Sequence, residues 1–273
     1  MGMGQFIQIE FQNISSEQSD LLVAELSMIG FDGFEEGENN LKAFILEENF
    51  NEDAVNRIVA AQKLSFTKSV IEETNWNAVW ESNFQPVIVD DFVAIRADFH
   101  EPIKEAGHEI VITPKMSFGT GHHATTYMMV QQMRTIDFAG KTVFDFGTGT
   151  GVLAILAEKL GAAKVFAVDN DEWSITNAEE NRQRNNCSRI ILEKADDAKT
   201  GEQYDIILAN INKNVILDNF SSLVRQLTPK GTLLLSGLLQ EDEADILAEA
   251  GKYPLILNGK TTNRGWISLR FTY

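Results

Sequence analysis

Val143-Phe144-Asp145-Phe146-Gly147-Thr148-Gly149-Thr150-Gly151 runs from a short apolar strand into a turn with glycine at every second position. Glycines there let the backbone bend sharply and approach a ligand where a Cβ would clash. The apolar run that starts at Val152 reads as a helix whose first turn points free N–H groups at whatever carboxylate or phosphate sits there. The spacing narrows the ligand further. A dinucleotide fingerprint is G-x-G-x-x-G, whereas these glycines run G-x-G-x-G and Val152 stands in the place of the last one. No Gly-Lys-Ser/Thr follows, so the turn is not a P-loop.

Outward from this turn the chain alternates strand and helix, the pattern of a doubly wound, mostly parallel sheet. Strands are expected at Thr142 to Phe146, Lys164 to Val168, Ile190 to Glu193, Tyr204 to Ala209 and Thr232 to Ser236. Helices are expected between them, near Val152 to Leu160, Glu172 to Arg184, Val215 to Leu227 and Glu241 to Ala250. Leu255 to Leu257 and Trp266 to Phe271 look like a terminal antiparallel hairpin. The second strand ends in Asp169, with Asn170 beside it, where a carboxylate can accept hydrogen bonds from both hydroxyls of a ribose. Asp145, the loop residues Gly147, Thr148 and Gly149, and Asp169 together resemble class I methyltransferases, whose cofactor is S-adenosylmethionine. Asp196 and Asp197 follow the third strand, as an adenine contact or a solvated turn. Asn210 ends the fourth strand, which in this topology faces the transferable methyl group.

The first part of the chain reads differently. Phe6 to Phe11 alternates as a strand, and Ser16 to Met28 reads as a helix with an apolar stripe at Leu21, Leu22, Leu26 and Ile29, stopped by Gly30. Strands at Gly33 to Glu36 and Lys42 to Leu46 precede a second helix, Asn51 to Lys63, with Asn51 as its N-cap and Glu52 and Asp53 in its first turn. A strand over Phe66 to Glu72 would close the sheet. This β-α-β-β-α-β order is the split-βαβ pattern of ferredoxin-like α+β modules. It holds no His, Cys or glycine-rich loop, so it is assigned recognition or packing rather than chemistry. The expected division is a recognition domain over residues 1–66, a linker over 67–80 and a cofactor domain over 81–273.

Composition bounds the partners. The chain has 273 residues, 44% hydrophobic and 23% charged, as in ordinary water-soluble globular domains. No apolar run approaches the roughly 20 residues of a membrane span, and nothing at the amino terminus reads as a signal peptide. Phe6 stands where a myristoylation signal needs Ser or Thr. One cysteine, Cys187, precludes an internal disulfide framework and a cysteine-based metal site. A cytoplasmic monomer is the expectation. The net charge of −17 sets 23 Lys and Arg against 40 acids, a poor footprint for direct nucleic-acid binding. Such acidity favours a basic protein partner, or serves solubility alone.

Phe118-Gly119-Thr120-Gly121-His122-His123-Ala124-Thr125-Thr126, taken with DFGTGTG, AVDND and ANI, resembles the PrmA family of bacterial ribosomal-protein methyltransferases. The resemblance covers most of the chain, including an aromatic linker region at Trp76, Trp80 and Phe84. It implies methyl transfer from S-adenosylmethionine to lysine side-chain and/or N-terminal amines of the eleventh protein of the large ribosomal subunit. It also implies cofactor contacts at Thr126, Gly147, Asp169 and Asn210, and a covering loop made of Phe118, Gly119 and Thr120. Trp266 matches a tryptophan of the family pattern, as a pocket wall or a core residue, and joins Asn210 as a candidate for the methyl-transfer step. Two departures stand out: Ile112-Thr113-Pro114-Lys115-Met116-Ser117 replaces an Asp-Pro-Gly sequence, and the segment from Phe99 to Ile110 is short.

Other readings remain at this stage. A class I enzyme acting on another protein, RNA or a small molecule would carry the same glycine turn, and so would a non-catalytic nucleotide-binding module. The His122-His123 pair invites a metal reading, but only His100 and His108 remain elsewhere and no carboxylates flank the pair at ligand spacing. No metal is expected, and His123 is expected to shape the covering loop.

Overall fold

Alternation from Phe6 to Gln12 puts Ile7, Ile9 and Phe11 on the buried face of the first strand, β1 (Phe6–Gln12). The computed structural model of the chain describes residues 6–31, 33–37, 39–71, 84–113 and 121–273, and the chain divides into units over residues 1–83 and 84–273. In the first unit β1 is followed by α1 (Ser16–Ser27), β2 (Gly33–Glu36), β3 (Asn40–Leu46), α2 (Glu52–Gln62) and β4 (Thr67–Ile71). The strand order is β2-β3-β1-β4 with every neighbour antiparallel, so β3 lies between the two strands that α1 connects.

Local chemistry sets the helix ends in this unit. Ser15 and Gln18 form a reciprocal capping box at the start of α1, and the Asn51 side chain accepts from the Ala54 N–H to start α2. Leu22 and Leu26 are fully buried, but Leu21, expected in the same stripe, is 49% exposed. The helix turns its i, i+4 pair inward, and the residue adjacent to Leu22 necessarily faces away. Residues 67–71 hydrogen-bond to β1 as β4, and so belong to this sheet rather than to a linker starting at residue 67. Trp76 and Trp80 lie outside the described residues.

The second unit opens with β5 (Val87–Val89), β6 (Val93–Ala97) and β7 (His108–Ile112), a small sheet in the order β5-β6-β7. Then come α3 (Ala124–Met133), β8 (Thr142–Phe146), α4 (Val152–Lys159), β9 (Lys164–Asp169), α5 (Glu172–Arg184) and β10 (Ile190–Lys194). The remainder is β11 (Tyr204–Asn210), α6 (Lys213–Arg225), β12 (Leu227–Leu239), α7 (Glu243–Ala250), β13 (Ile256–Asn263) and β14 (Trp266–Thr272). Seven strands make one sheet in the order β10-β9-β8-β11-β12-β14-β13, parallel from β10 through β12 and antiparallel at β14 and β13. The expected doubly wound sheet with its terminal hairpin is present.

The central strands read as apolar runs because both faces are covered. Val143, Val165 and Leu208 join one core layer with Ile155, while Phe144, Ile207 and Leu233 join the other with Phe220. From β8 the chain steps outward to β9 and β10, then returns to β11 on the other side of β8. The reversal opens a crevice at the carboxyl ends of β8 and β11, where ligands bind in open α/β sheets. Among the described residues, no helix is long and apolar enough to cross a membrane.

Candidate functional site

The glycine turn occupies that crevice. Gly147 has φ +79°, and a Cβ on it would lie 2.2 Å from Cγ2 of Ile211, so both the backbone angle and the neighbour demand glycine. The N–H groups of Gly147 and Thr148 each donate to the Val168 carbonyl at 2.9 Å, folding the turn onto the end of β9. Gly149 then donates its N–H to Oδ2 of Asp169 at 2.9 Å, and Asp171 donates to Oδ1 at 3.1 Å. Each carboxylate oxygen has capacity for a further donor, as a ribose diol requires.

Asp145 lies beneath the turn, fully buried. Its Oδ2 accepts from the Thr148 hydroxyl at 2.6 Å, while Oδ1 has no partner. Burial pushes this carboxyl up to about 7, and the Asp169 charge adds to the rise, against the pull of the Thr148 hydroxyl. Neither Asp145 nor Thr148 borders either of the two cavities beside Asp169. They support the turn from behind.

Two cavities flank Asp169. The larger, about 350 Å³, is bordered by Gly149, Ser174, Asn210 and Gly237, with the rings of His123 and Trp266. The smaller, about 200 Å³, includes Asn170 and Asp196. Both share Gly147, Asp169, Ile211 and Asn212, so they are neighbouring compartments of one cleft. A bigger hollow, about 470 Å³, lies among Lys141, Asp205, Lys230 and Arg270. It sits at the opposite ends of the strands, away from the crevice.

Asn210 ends β11 and is 7% exposed. Its Nδ2 donates to Oγ1 of Thr126 at 3.2 Å, while its Oδ1 is buried with no hydrogen-bond donor. An acceptor left this way costs about 1–3 kcal/mol, which a ligand N–H at the cavity wall would recover. Thr126, on α3, is buried behind Asn210 rather than in either wall.

His123 caps α3, with Nδ1 2.7 Å from Oγ1 of Thr125. Its ring meets that of Trp266 edge-on at 4.7 Å. His122 turns elsewhere, its Nε2 lying 2.9 Å from the Gln85 carbonyl oxygen and its ring against Phe84. Among the described residues, no three His, Cys, Asp or Glu side chains gather as a metal-binding group. Phe118, Gly119 and Thr120 lie outside the described residues.

Two contributors escape the sequence reading. Gly237, φ +80°, interrupts the apolar strand β12, and a Cβ there would lie 2.2 Å from the Ile211 carbonyl oxygen. A glycine inside an apolar strand is a readable sign of close approach. Asn177 and Asn181 on α5 and Asn185 at its C-cap stand at i, i+4 and i+8 and grip the end of β7. Asn181 accepts from the Thr113 N–H at 2.7 Å and donates to the Thr150 carbonyl at 2.8 Å, bridging that edge to the glycine turn.

A family model described as "Ribosomal protein L11 methyltransferase (PrmA)" matches residues 7–273. A ribosomal protein L11 methyltransferase from Porphyromonas gingivalis is 38% identical over 262 residues, 93% of this chain and 90% of that protein. One from Chlorobaculum tepidum is 42% identical over 250 residues, 87% of this chain and 86% of its own length. The crystal structure of a ribosomal protein L11 methylase from Lactobacillus delbrueckii subsp. bulgaricus superposes with a TM-score of 0.64 at 29% identity, covering 69% of this chain and 98% of that one.

Proposed function

The chain belongs to the ribosomal protein L11 methyltransferase family, and on that premise we propose that its substrate groups are lysine side-chain and N-terminal amines of ribosomal protein L11. It is an S-adenosylmethionine-dependent methyltransferase. The observation that carries the amine reading is the buried, donor-free Oδ1 of Asn210 at the cavity wall.

The residues present fit the cofactor. Gly147 has no room for a side chain, and Asp169 stands between two compartments with acceptor capacity left on both oxygens. Asp169 would hold the ribose, Asn170 and Asp196 would border the base, and the turn at Gly147 and Gly149 would receive the methionine half. When bound, S-adenosylmethionine supplies an electrophilic methyl group on a sulfonium.

The chain's own task is to present a neutral amine in line with that group. Methyl displacement needs little acid catalysis, so position matters most. A lysine with pKa near 10.4 is neutral in about one molecule in a few thousand at pH 7, a cost of about 4–5 kcal/mol. An ionised acid against the amine would raise that cost, whereas desolvation lowers it. Oδ1 of Asn210 accepts an amine N–H without a full negative charge, and so orients the lone pair while leaving the amine free to be neutral. Trp266 closes the same wall, and its ring favours the positive charge that grows on nitrogen during transfer. The net charge of −17 suits a basic ribosomal-protein substrate.

Mass spectrometry of L11 after incubation with enzyme and cofactor tests this reading. Methyl increments on lysine and N-terminal amines are expected. Label found in rRNA, or on other side chains only, would overturn it.

A further inference from the structure

Helix α3 lies along β14, on the strand face that carries Trp266, Ser268 and Arg270. His123 meets Trp266, Met129 and Gln132 meet Ser268, and Thr135 accepts from Arg270 at 2.6 Å. The strand face presents one aromatic ring and two polar side chains to the helix. In its middle sits a polar group with directional demands. Gln132 is 7% exposed and Ser268 fully buried. Nε2 of Gln132 donates to the Ser268 carbonyl at 3.2 Å, to its hydroxyl oxygen at 3.1 Å and to Oγ1 of Thr261 on β13 at 3.4 Å. The Ser268 hydroxyl in turn donates to the Leu235 carbonyl at 3.0 Å.

The strands here need such a pin. Pairing of β12 with β14 slips between Leu235 and Leu238, a bulge that takes Ser236 and Gly237 out of the ladder. The Ser236 hydroxyl donates to the Ile267 carbonyl at 2.9 Å. Gly237 and Trp266 border the cavity, so the bulge and the residues beside it place one wall of the site. The first turn of α3 is tied separately, through Thr126 and Asn210. What Gln132 secures is therefore the strand.

We infer that Gln132 is a positioning residue for methyl transfer: through Ser268 it fixes the register of β14 against α3 and so holds Trp266 in the wall of the cavity. This rests on the reading of Trp266 as that wall.

Gln132→Met keeps the side-chain length and removes the donor, and Ser268→Ala removes the hydroxyl if the first variant fails to fold. Each is compared with the parent enzyme and repeated in a Trp266→Ala background, measuring kcat and KM for L11 together with cofactor affinity by calorimetry. The expected result is a roughly 10-fold loss of kcat with unchanged cofactor affinity, and no further loss once Trp266 is gone. An equal loss in both backgrounds, or no loss in the parent, overturns the positioning role alone. Unchanged kcat in Trp266→Ala overturns the wall reading and this inference with it.

Discussion

The amide nitrogen of Asn210 donates to the hydroxyl of Thr126 at 3.2 Å, so the end of β11 is tied to the first turn of α3 and the amide oxygen is left buried without a donor. A side chain held at one end and short of a donor at the other is suited to orient a substrate. Asn210→Ala should lower the single-turnover rate about 100-fold, as loss of one positioned polar group does elsewhere. Thr126→Val, which keeps shape and removes the acceptor, should give a smaller loss in the same step. Calorimetry with the cofactor separates the roles: lost affinity with unchanged chemistry would sink the orienting role of Asn210.

Asp169 should show the opposite balance. Its two oxygens hold the N–H groups of Gly149 and Asp171 as well as facing both cavities. Hydrogen bonds to charged groups are worth about 1.5–3 kcal/mol, so Asp169→Ala should weaken cofactor binding by roughly 10- to 100-fold. At saturating cofactor the chemical step should recover. A variant that binds S-adenosylmethionine as the parent does would refute the ribose assignment.

Asp145 makes stability depend on pH in an unusual sense. Its carboxyl titrates near 7 in the folded chain because burial penalises the charge, against 3.8 for the ordinary group. Between these values the native state holds a proton that the unfolded state has lost. Its contribution to stability therefore falls as pH rises through this window, by about 1.4 kcal/mol per unit, and is flat above it. Asn at this position removes the titration. The stability of Asp145→Asn relative to the parent should accordingly climb from pH 4 to pH 7 in urea denaturation. A constant difference across that range would show that Asp145 titrates normally.

The sequence discloses the cofactor half of the site better than the rest, for physical reasons. Strands buried on both faces, such as Val143 to Phe146, show as apolar runs, and glycines mark the sharp turn between them. Helix α3 leaves no such trace, since Thr125, Thr126, Met128, Met129, Val130, Gln132 and Met133 are all buried and no polar face remains to give a period. Strand β6 is hidden by Arg96, a charge inside a buried strand that is tolerated because Glu109 pairs with it at 2.8 Å. Spacing also cannot separate a residue that lines a cavity from one that holds the lining in place. Gly147, Asp169 and Asn210 do the first, while Asp145, Thr148 and Thr126 do the second.

Among the described residues, those that border the two cavities all fall between His123 and Trp266. The interior of the first unit is an ordinary core of residues such as Ile9, Phe11 and Leu41 under two capped helices. The recognition role expected of this unit makes a prediction. The fragment 84–273 should then bind S-adenosylmethionine about as tightly as the whole chain, because every side chain assigned to that task is retained. Its kcat/KM for L11 should fall by at least about 100-fold, since the binding energy of parts remote from the reacting amine would be lost. The cut belongs at residue 83, because β4 pairs with β1 and a cut at residue 66 would leave an orphan strand. Calorimetry first establishes that the fragment is folded and competent for the cofactor. Methylation of L11 at the full-length rate by such a fragment would refute a recognition role for the first unit.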